Sequence, residues 1–226
     1  MKKNILRHEY KYLINAFEYE VLKSRLRFLP KDSHCVKKGY YTVRSLYMED
    51  LLGSSKFEKD SGLHTRNKFR FRTYNNSNEF VLLESKSKIG DLTQKESIKL
   101  SKESATILIN DYNQLNLTLK NCFPYLNHET FRKQFLPKVI IQYKREAYVR
   151  HDKNNLRINF DKFITSTSDT SLFLKNITNQ KQITNSQNIV LEIKFTNYMP
   201  DHIKFLLSPI ESSRISFSKY ANSIQN

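Results

Sequence analysis

The chain has 226 residues, 38% hydrophobic and 12% aromatic, which is too rich in core-forming side chains for a disordered polyelectrolyte. Lys and Arg number 38 against 22 Asp and Glu, a formal charge of +16, and a field of that sign draws polyanions such as nucleic acid, anionic lipid, nucleotides or inorganic phosphate chains. Four glycines and five prolines supply neither a glycine-rich nucleotide loop nor a Pro-rich linker, and the two cysteines, Cys35 and Cys122, lack the spacing of a zinc site or a disulfide framework, which fits a reducing, cytoplasmic setting.

In chain order, residues 5–14 read as a strand, after which Asn15 and Glu18 form a capping-box start to the helix FEYEVLKSRLRFL. YYTVRSLYMED, 40–50, returns to strand. Residues 66–88 read as a hairpin across the polar turn Asn75, Asn76, Ser77 and Asn78, and a further strand covers 93–100. Ser101 is placed to cap a helix whose apolar stripe is Ile107, Leu108, Tyr112 and Leu115. Beyond an irregular stretch at 120–136, PKVIIQYKREAYVRHD and NNLRINFDKF form a second long hairpin across Asp152 to Asn155. The Ser-, Thr-, Asn- and Gln-rich segment 165–187 reads as loop, and IVLEIKFTN, 189–197, as the last strand. Pro200 opens a short helix, DHIKFLLS, and Ser216 to Ile224 reads as a terminal helix. No stretch approaches the ~18 apolar residues of a membrane span, and the N-terminus lacks the apolar core of a secretory signal. Without a boundary or repeat, residues 1–226 read as one domain.

The strands share a feature. In NKFRFRTYN, Lys68, Arg70 and Arg72 alternate with Phe69 and Phe71, so the three cations share one face and the two rings the other. Parity likewise groups Arg7, Glu9 and Lys11; Glu84, Lys86 and Lys88; Tyr143 and Arg145; Arg157 and Asp161; and Glu192 with Lys194. An open sheet would turn these faces to water, where they are unremarkable solvated surface. A closed sheet would turn them inward as a cationic tunnel, which would need an anion to offset the repulsion. Parity allows both. The histidines, including His8, His64 and His202, have no ligand spacing.

RHEYKYLI, YYTVRSLY, KFRFR, LLESK followed by TQKES, IQYKREAY, RINFD, LEIKF and SFSKY stand in an order that resembles the VTC domain, the polyphosphate polymerase domain of the triphosphate tunnel metalloenzyme superfamily. The likeness runs from Arg7 to Tyr220, and its weight lies in the ordered set, since each motif alone is short. It implies an α+β fold, a closed eight-stranded antiparallel β tunnel with flanking helices, and a divalent metal, Mn²⁺ or Mg²⁺. Carried over position by position, it implies catalytic roles for Lys11, Arg70, Arg72, Arg145 and Lys219. Lys68, Lys86, Lys95, Tyr143, Lys194 and Ser218 are implied phosphate ligands, and Glu192 the metal ligand.

The activity so implied is ATP-dependent polyphosphate polymerisation, with ATP and polyphosphate as partners. Tunnel-fold triphosphate hydrolysis and a non-catalytic polyphosphate- or RNA-binding role stay open, although neither an RNP-like aromatic motif nor a helix-turn-helix pattern supports a specific nucleic acid. Many hydrolytic members of the superfamily begin Glu-x-Glu-x-Lys, where this chain has Arg7, Glu9 and Lys11; losing one carboxylate disfavours a metal-held attacking water. Ser216 stands where some polymerase sequences have a further lysine, with Arg214 the nearby cation. Eukaryotic relatives belong to membrane complexes, which raises recruitment to a membrane face by a membrane-protein partner as a further expectation.

Overall fold

The computed structural model describes residues 6–54, 61, 65–77, 79–90, 92–124, 130, 132–150, 152–177, 179–185, 187–210 and 213–225. His64 and Asn78 lie outside them. Strand β1 (Arg7–Ile14) leads into helix α1 (Ala16–Arg25) through the capping box that the sequence predicts. The Asn15 side chain accepts the Glu18 N–H at 2.9 Å, and the Glu18 carboxylate accepts the Asn15 N–H at 2.9 Å. Strands β2 (Tyr41–Asp50) and β3 (Thr65–Tyr74) follow. The turn into β4 (Val81–Ile89) places Asn75 and Asn76 at φ 53° and 54°, the left-handed region that asparagine tolerates better than most residues. Strand β5 (Leu92–Leu100) follows Gly90, itself at φ 57°.

The helix predicted after Ser101 is two helices, α2 (Lys102–Asn110) and α3 (Tyr112–Cys122). Asp111 adopts extended geometry (φ −119°, ψ 99°) and caps α3 by accepting the N–H groups of Asn113 and Gln114. That break rotates the apolar stripe: Leu108 and Leu115 are buried, whereas Ile107 and Tyr112 are 52% and 55% exposed. Strands β6 (Phe135–Arg150) and β7 (Leu156–Thr167) form the long second hairpin. Its turn is held by the Asn155 N–H on the Asp152 carbonyl at 3.0 Å. The region predicted as loop from 165 is partly strand, since β7 runs on to Thr167 and the two-residue β8 (Lys181–Gln182) pairs with it. Strand β9 (Ile189–Phe195) is followed by α4 (Asp201–Leu206), with Pro200 at its N-cap. The terminal helix α5 spans Lys219–Gln225, three residues later than the sequence predicts at its start.

The sheet order is β6-β2-β3-β4-β5-β1-β9-β7, and β6 also pairs with β7, so eight antiparallel strands close on themselves while β8 adds a ninth at the end of β7. Closure removes the edges of the barrel and commits each strand's two faces to inside or outside. The apolar faces point outward. Phe69 and Phe71 meet Leu115, Leu119 and Phe123 under α3. On the other side, Phe160, Leu191 and Ile193 pack on Leu22 of α1 and Ile203 of α4. Each such ring or branched chain removed from water contributes roughly 1.5–3 kcal/mol, which offsets the cost of gathering charge inside. Among the described residues no helix is long and apolar enough to cross a membrane.

Candidate active site

Turning the apolar faces out turns the charged faces in. They line a cavity of about 490 Å³ through the barrel, and all twelve side chains singled out as site residues border it. Lys11 comes from β1, Lys68, Arg70 and Arg72 from β3, Lys86 from β4, Lys95 from β5, and Tyr143 and Arg145 from β6. Glu192 and Lys194 come from β9, while Ser218 and Lys219 sit where the chain enters α5. Arg7, Lys88, Arg157 and Arg214 add further cations, and Ser216 also borders the cavity, so Arg214 and not Ser216 supplies charge at that end.

Among the described residues, four buried carboxylates hold most of these cations, and a fifth, Asp32, holds Arg157. Glu84, fully buried on β4, accepts Arg70 Nε at 2.7 Å, lies 3.5 Å from Arg72 Nη1 and pairs with Lys95. Asp161, fully buried on β7, takes Arg145 in a fork, Nε to Oδ1 at 2.6 Å and Nη2 to Oδ2 at 2.7 Å, and also holds Lys219 Nζ at 2.6 Å. Glu192 lies 3.3 Å from Arg145 Nη2 and 3.2 Å from Lys194 Nζ. Glu9 accepts Lys86 Nζ at 2.6 Å and two Arg7 nitrogens at 3.3 Å. A fork fixed from behind by a carboxylate presents its guanidinium in one orientation, which is what bidentate recognition of a phosphate requires.

The electrostatics follow from crowding. Burial favours the neutral form of Glu192, but Lys194, Lys11 and Arg145 outweigh it and hold the carboxyl well below the usual range. Glu84 moves the same way, burial being overcome by Arg72, Arg70 and Lys95. Lys219 is raised, because Asp161, Tyr143 and Glu192 outweigh its burial. Lys11, Lys68 and Lys95 have too little compensation, and burial draws each down to about 8.

Sequence reasoning missed Tyr47. Its phenol lies in the cavity wall, accepts Arg70 Nη1 at 2.9 Å, and its ring packs 5.6 Å from that of Tyr220. Burial raises it, yet Arg70, Arg72 and Lys219 prevail and bring it down to about 8. The signal was present in its parity with Tyr41, Val43 and Ser45, but an aromatic in a strand reads as core. The segment ahead of α5 and the helix's first turn also close part of the wall: Lys11 Nζ donates to the Phe217 carbonyl at 2.7 Å, Lys68 Nζ to Ser218 Oγ at 3.4 Å, and the Tyr220 hydroxyl to Glu49.

The family model of the VTC domain matches residues 6–226. This chain belongs to the VTC domain family. A search of curated proteins found no significant match. Among solved structures, the VTC domain described here is similar to HpAC1 of Hippeastrum, proposed as an adenylyl cyclase and reported with a dominant triphosphatase activity. The TM-score is 0.55 at 12% identity, covering 98% of this chain and 95% of that one. It is also similar to a proposed adenylate cyclase of Bacillus halodurans, TM-score 0.54 at 14% identity over 96% of each chain. A third, from Vibrio parahaemolyticus, gives TM-score 0.52 at 8% identity over 99% and 100%. At these identities the likeness is one of fold, and the VTC domain shares with them the closed antiparallel tunnel.

Proposed function

We propose that this VTC domain is an ATP-dependent polyphosphate polymerase, moving the γ-phosphoryl group of ATP to the terminal oxygen of a growing polyphosphate and releasing ADP. The observation that carries this reading is the closed cavity walled by Arg70, Arg72, Arg145, Lys219 and Lys11 with their supporting carboxylates. A linear anion with several oxygens per phosphorus matches a wall of fixed forks and ammonium groups. The acceptor is a phosphate oxygen, already ionised near neutral pH, so catalysis reduces to alignment and charge stabilisation and needs no strong base. Arg70 and Arg72, on one strand face, grip one stretch of the chain, and Arg145 with Lys219 grips another. Lys68, Lys86, Lys95, Lys194, Tyr143 and Ser218 bind the flanking phosphates.

Among the described residues no group of three or more His, Cys, Asp or Glu is arranged to hold a metal ion. The wall offers Glu192 and Glu9, bridged by Lys194 at 3.2 and 3.8 Å. With Glu9 engaged by Arg7 and Lys86, Glu192 is the carboxylate that would hold an ion arriving on its phosphates, the usual manner of Mg²⁺ and of the similarly hard Mn²⁺. When bound, such an ion neutralises charge on the transferring group.

The alternative of triphosphate hydrolysis draws support from the activity reported for HpAC1. Against it, Arg7 spends both of its contacting nitrogens on Glu9 at 3.3 Å, tying up the carboxylate nearest to Glu192 along the wall. Incubation of the protein with ATP and Mn²⁺ separates the readings: ADP with long, phosphatase-sensitive chains supports polymerisation, free orthophosphate alone supports hydrolysis, and unchanged ATP supports a binding module. Glu192→Ala and Arg70→Ala should each abolish product with the circular dichroism spectrum intact; full activity in both would remove the site assignment.

A further inference from the structure

One end of the tunnel is built differently from the rest. Three aromatic rings meet there, His34 to Tyr41 at 5.5 Å, His34 to Tyr74 at 5.9 Å and Tyr41 to Tyr74 at 5.8 Å between centroids. Tyr41 and Tyr74 border the same cavity as the phosphate-binding cations, as does Arg157. Tyr74 follows Arg72 by two residues on β3, one step of about 6.6–6.8 Å along the inner face. Tyr41 pairs across strands with Arg145. Each tyrosine is therefore the next inward-facing neighbour of an arginine assigned to grip phosphate.

The cluster is also tethered. Asp32 Oδ1 lies 2.7 Å from His34 Nδ1 and accepts the His34 N–H at 2.9 Å, while Asp32 Oδ2 pairs with Arg157 Nη2 at 3.1 Å. Arg157 Nη2 also donates to the Tyr41 hydroxyl at 2.7 Å, and Arg157 Nε to Asn159 at 3.0 Å. Core packing accounts for Tyr41, which is 3% exposed. Asp32 caps the short turn Ser33–Cys35, which explains its bond to the His34 N–H but not its second bond to Nδ1, which orients a side chain that is 56% exposed.

We propose that His34 and Tyr74, backed by the buried Tyr41 that Arg157 anchors, form a stacking platform for the base of a purine nucleoside triphosphate whose phosphates lie on Arg72 and Arg145. The proposal rests on the nucleotide-donor reading above and deepens it, because the platform tells a nucleoside triphosphate from a bare phosphate chain. Ribose bridges the step from Arg72 to Tyr74, and the base lies against the rings at the mouth. Stacking uses the π-face that every base has, so the platform ranks ligands by ring area, purine ahead of pyrimidine.

Calorimetric titration of the whole chain, without metal, with ATP and with ribose 5-triphosphate tests this. The two ligands carry the same phosphates and differ in the base. ATP should bind about tenfold more tightly, within the span measured for base–aromatic stacking. Tyr74→Leu and His34→Ala should each shrink that ratio severalfold while leaving the ribose 5-triphosphate affinity unchanged. Equal affinities in the unsubstituted protein, or substitutions that weaken both ligands alike, overturn the platform and leave the triphosphate tunnel standing. Failure of both ligands to bind overturns the nucleotide reading, and the platform with it.

Discussion

Raising the pH from 7 to 9 should release the ligand from the tunnel while the barrel itself grows more stable. Lys11, Lys68 and Lys95 are each drawn down to about 8, chiefly by burial, aided by like charges: Lys86 and Lys219 near Lys11, Lys11 and Lys86 near Lys68, Arg72 and Arg70 near Lys95. An anionic ligand favours their charged forms, so affinity is full below 8 and lost as the pH rises through it. Because Lys11 is itself one of the charges that lower Lys68, these lysines titrate as a coupled set, and losing their protons between pH 7 and 9 weakens binding by orders of magnitude. The ligand's terminal phosphate ionises near about 6 and contributes little across this window. In the unfolded chain the same lysines titrate near 10.5. Between 8 and 10.5 the unfolded chain therefore binds more protons, and stability of the empty barrel rises with pH. Titration with ATP, without metal and at constant ionic strength, alongside thermal melts, reads both effects. Lys68→Arg should reduce the limiting slope of log Kd against pH by about one. Affinity that stays flat from pH 7 to 9, or a slope unchanged in Lys68→Arg, would refute the reasoning.

Asp161→Asn removes the charge that Arg145 and Lys219 share. Breaking a buried pair of this kind costs about 3–5 kcal/mol, so Tm should fall by about 6–20 °C, and triphosphate should recover more of it than it adds to the unsubstituted protein. Arg7→Glu frees Glu9 from its guanidinium and adds a carboxylate to the wall; the orthophosphate released per ADP formed should rise severalfold, measured by phosphate release against chain length on a gel. Asp111→Ala deletes the cap of α3 and should lower stability by about 1 kcal/mol with kcat unchanged, since that helix touches only the outer face of the barrel.

The inner and outer faces were legible because a strand has a period of two: Arg70 and Phe71 could be sorted by position alone. Closure was not, since parity is the same in a flat sheet and a barrel; the order of motifs supplied it, and the pairing of β6 with β7 shows it. The supporting carboxylates were visible as charges on the right face, but the role of Glu84 depends on Arg70 opposite it on β3, and that of Asp161 on Arg145 opposite it on β6. Such partners are set by register, which a single strand does not encode. Asp111 was hidden for another reason: apolar spacing ran on through it, and its cap bonds won over the continuation of one helix. His34 sits in a short 3-10 turn between elements, where periodicity says nothing.

Zipping the barrel shut is also a problem in time. β1 and β9 lie near opposite ends of the chain yet pair over seven positions, from His8 with Phe195 to Ile14 with Ile189. Joining them comes after a long search and drives more than ten ammonium and guanidinium groups toward one axis. Soluble polyanions that neutralise those groups during refolding should therefore hasten closure of the barrel.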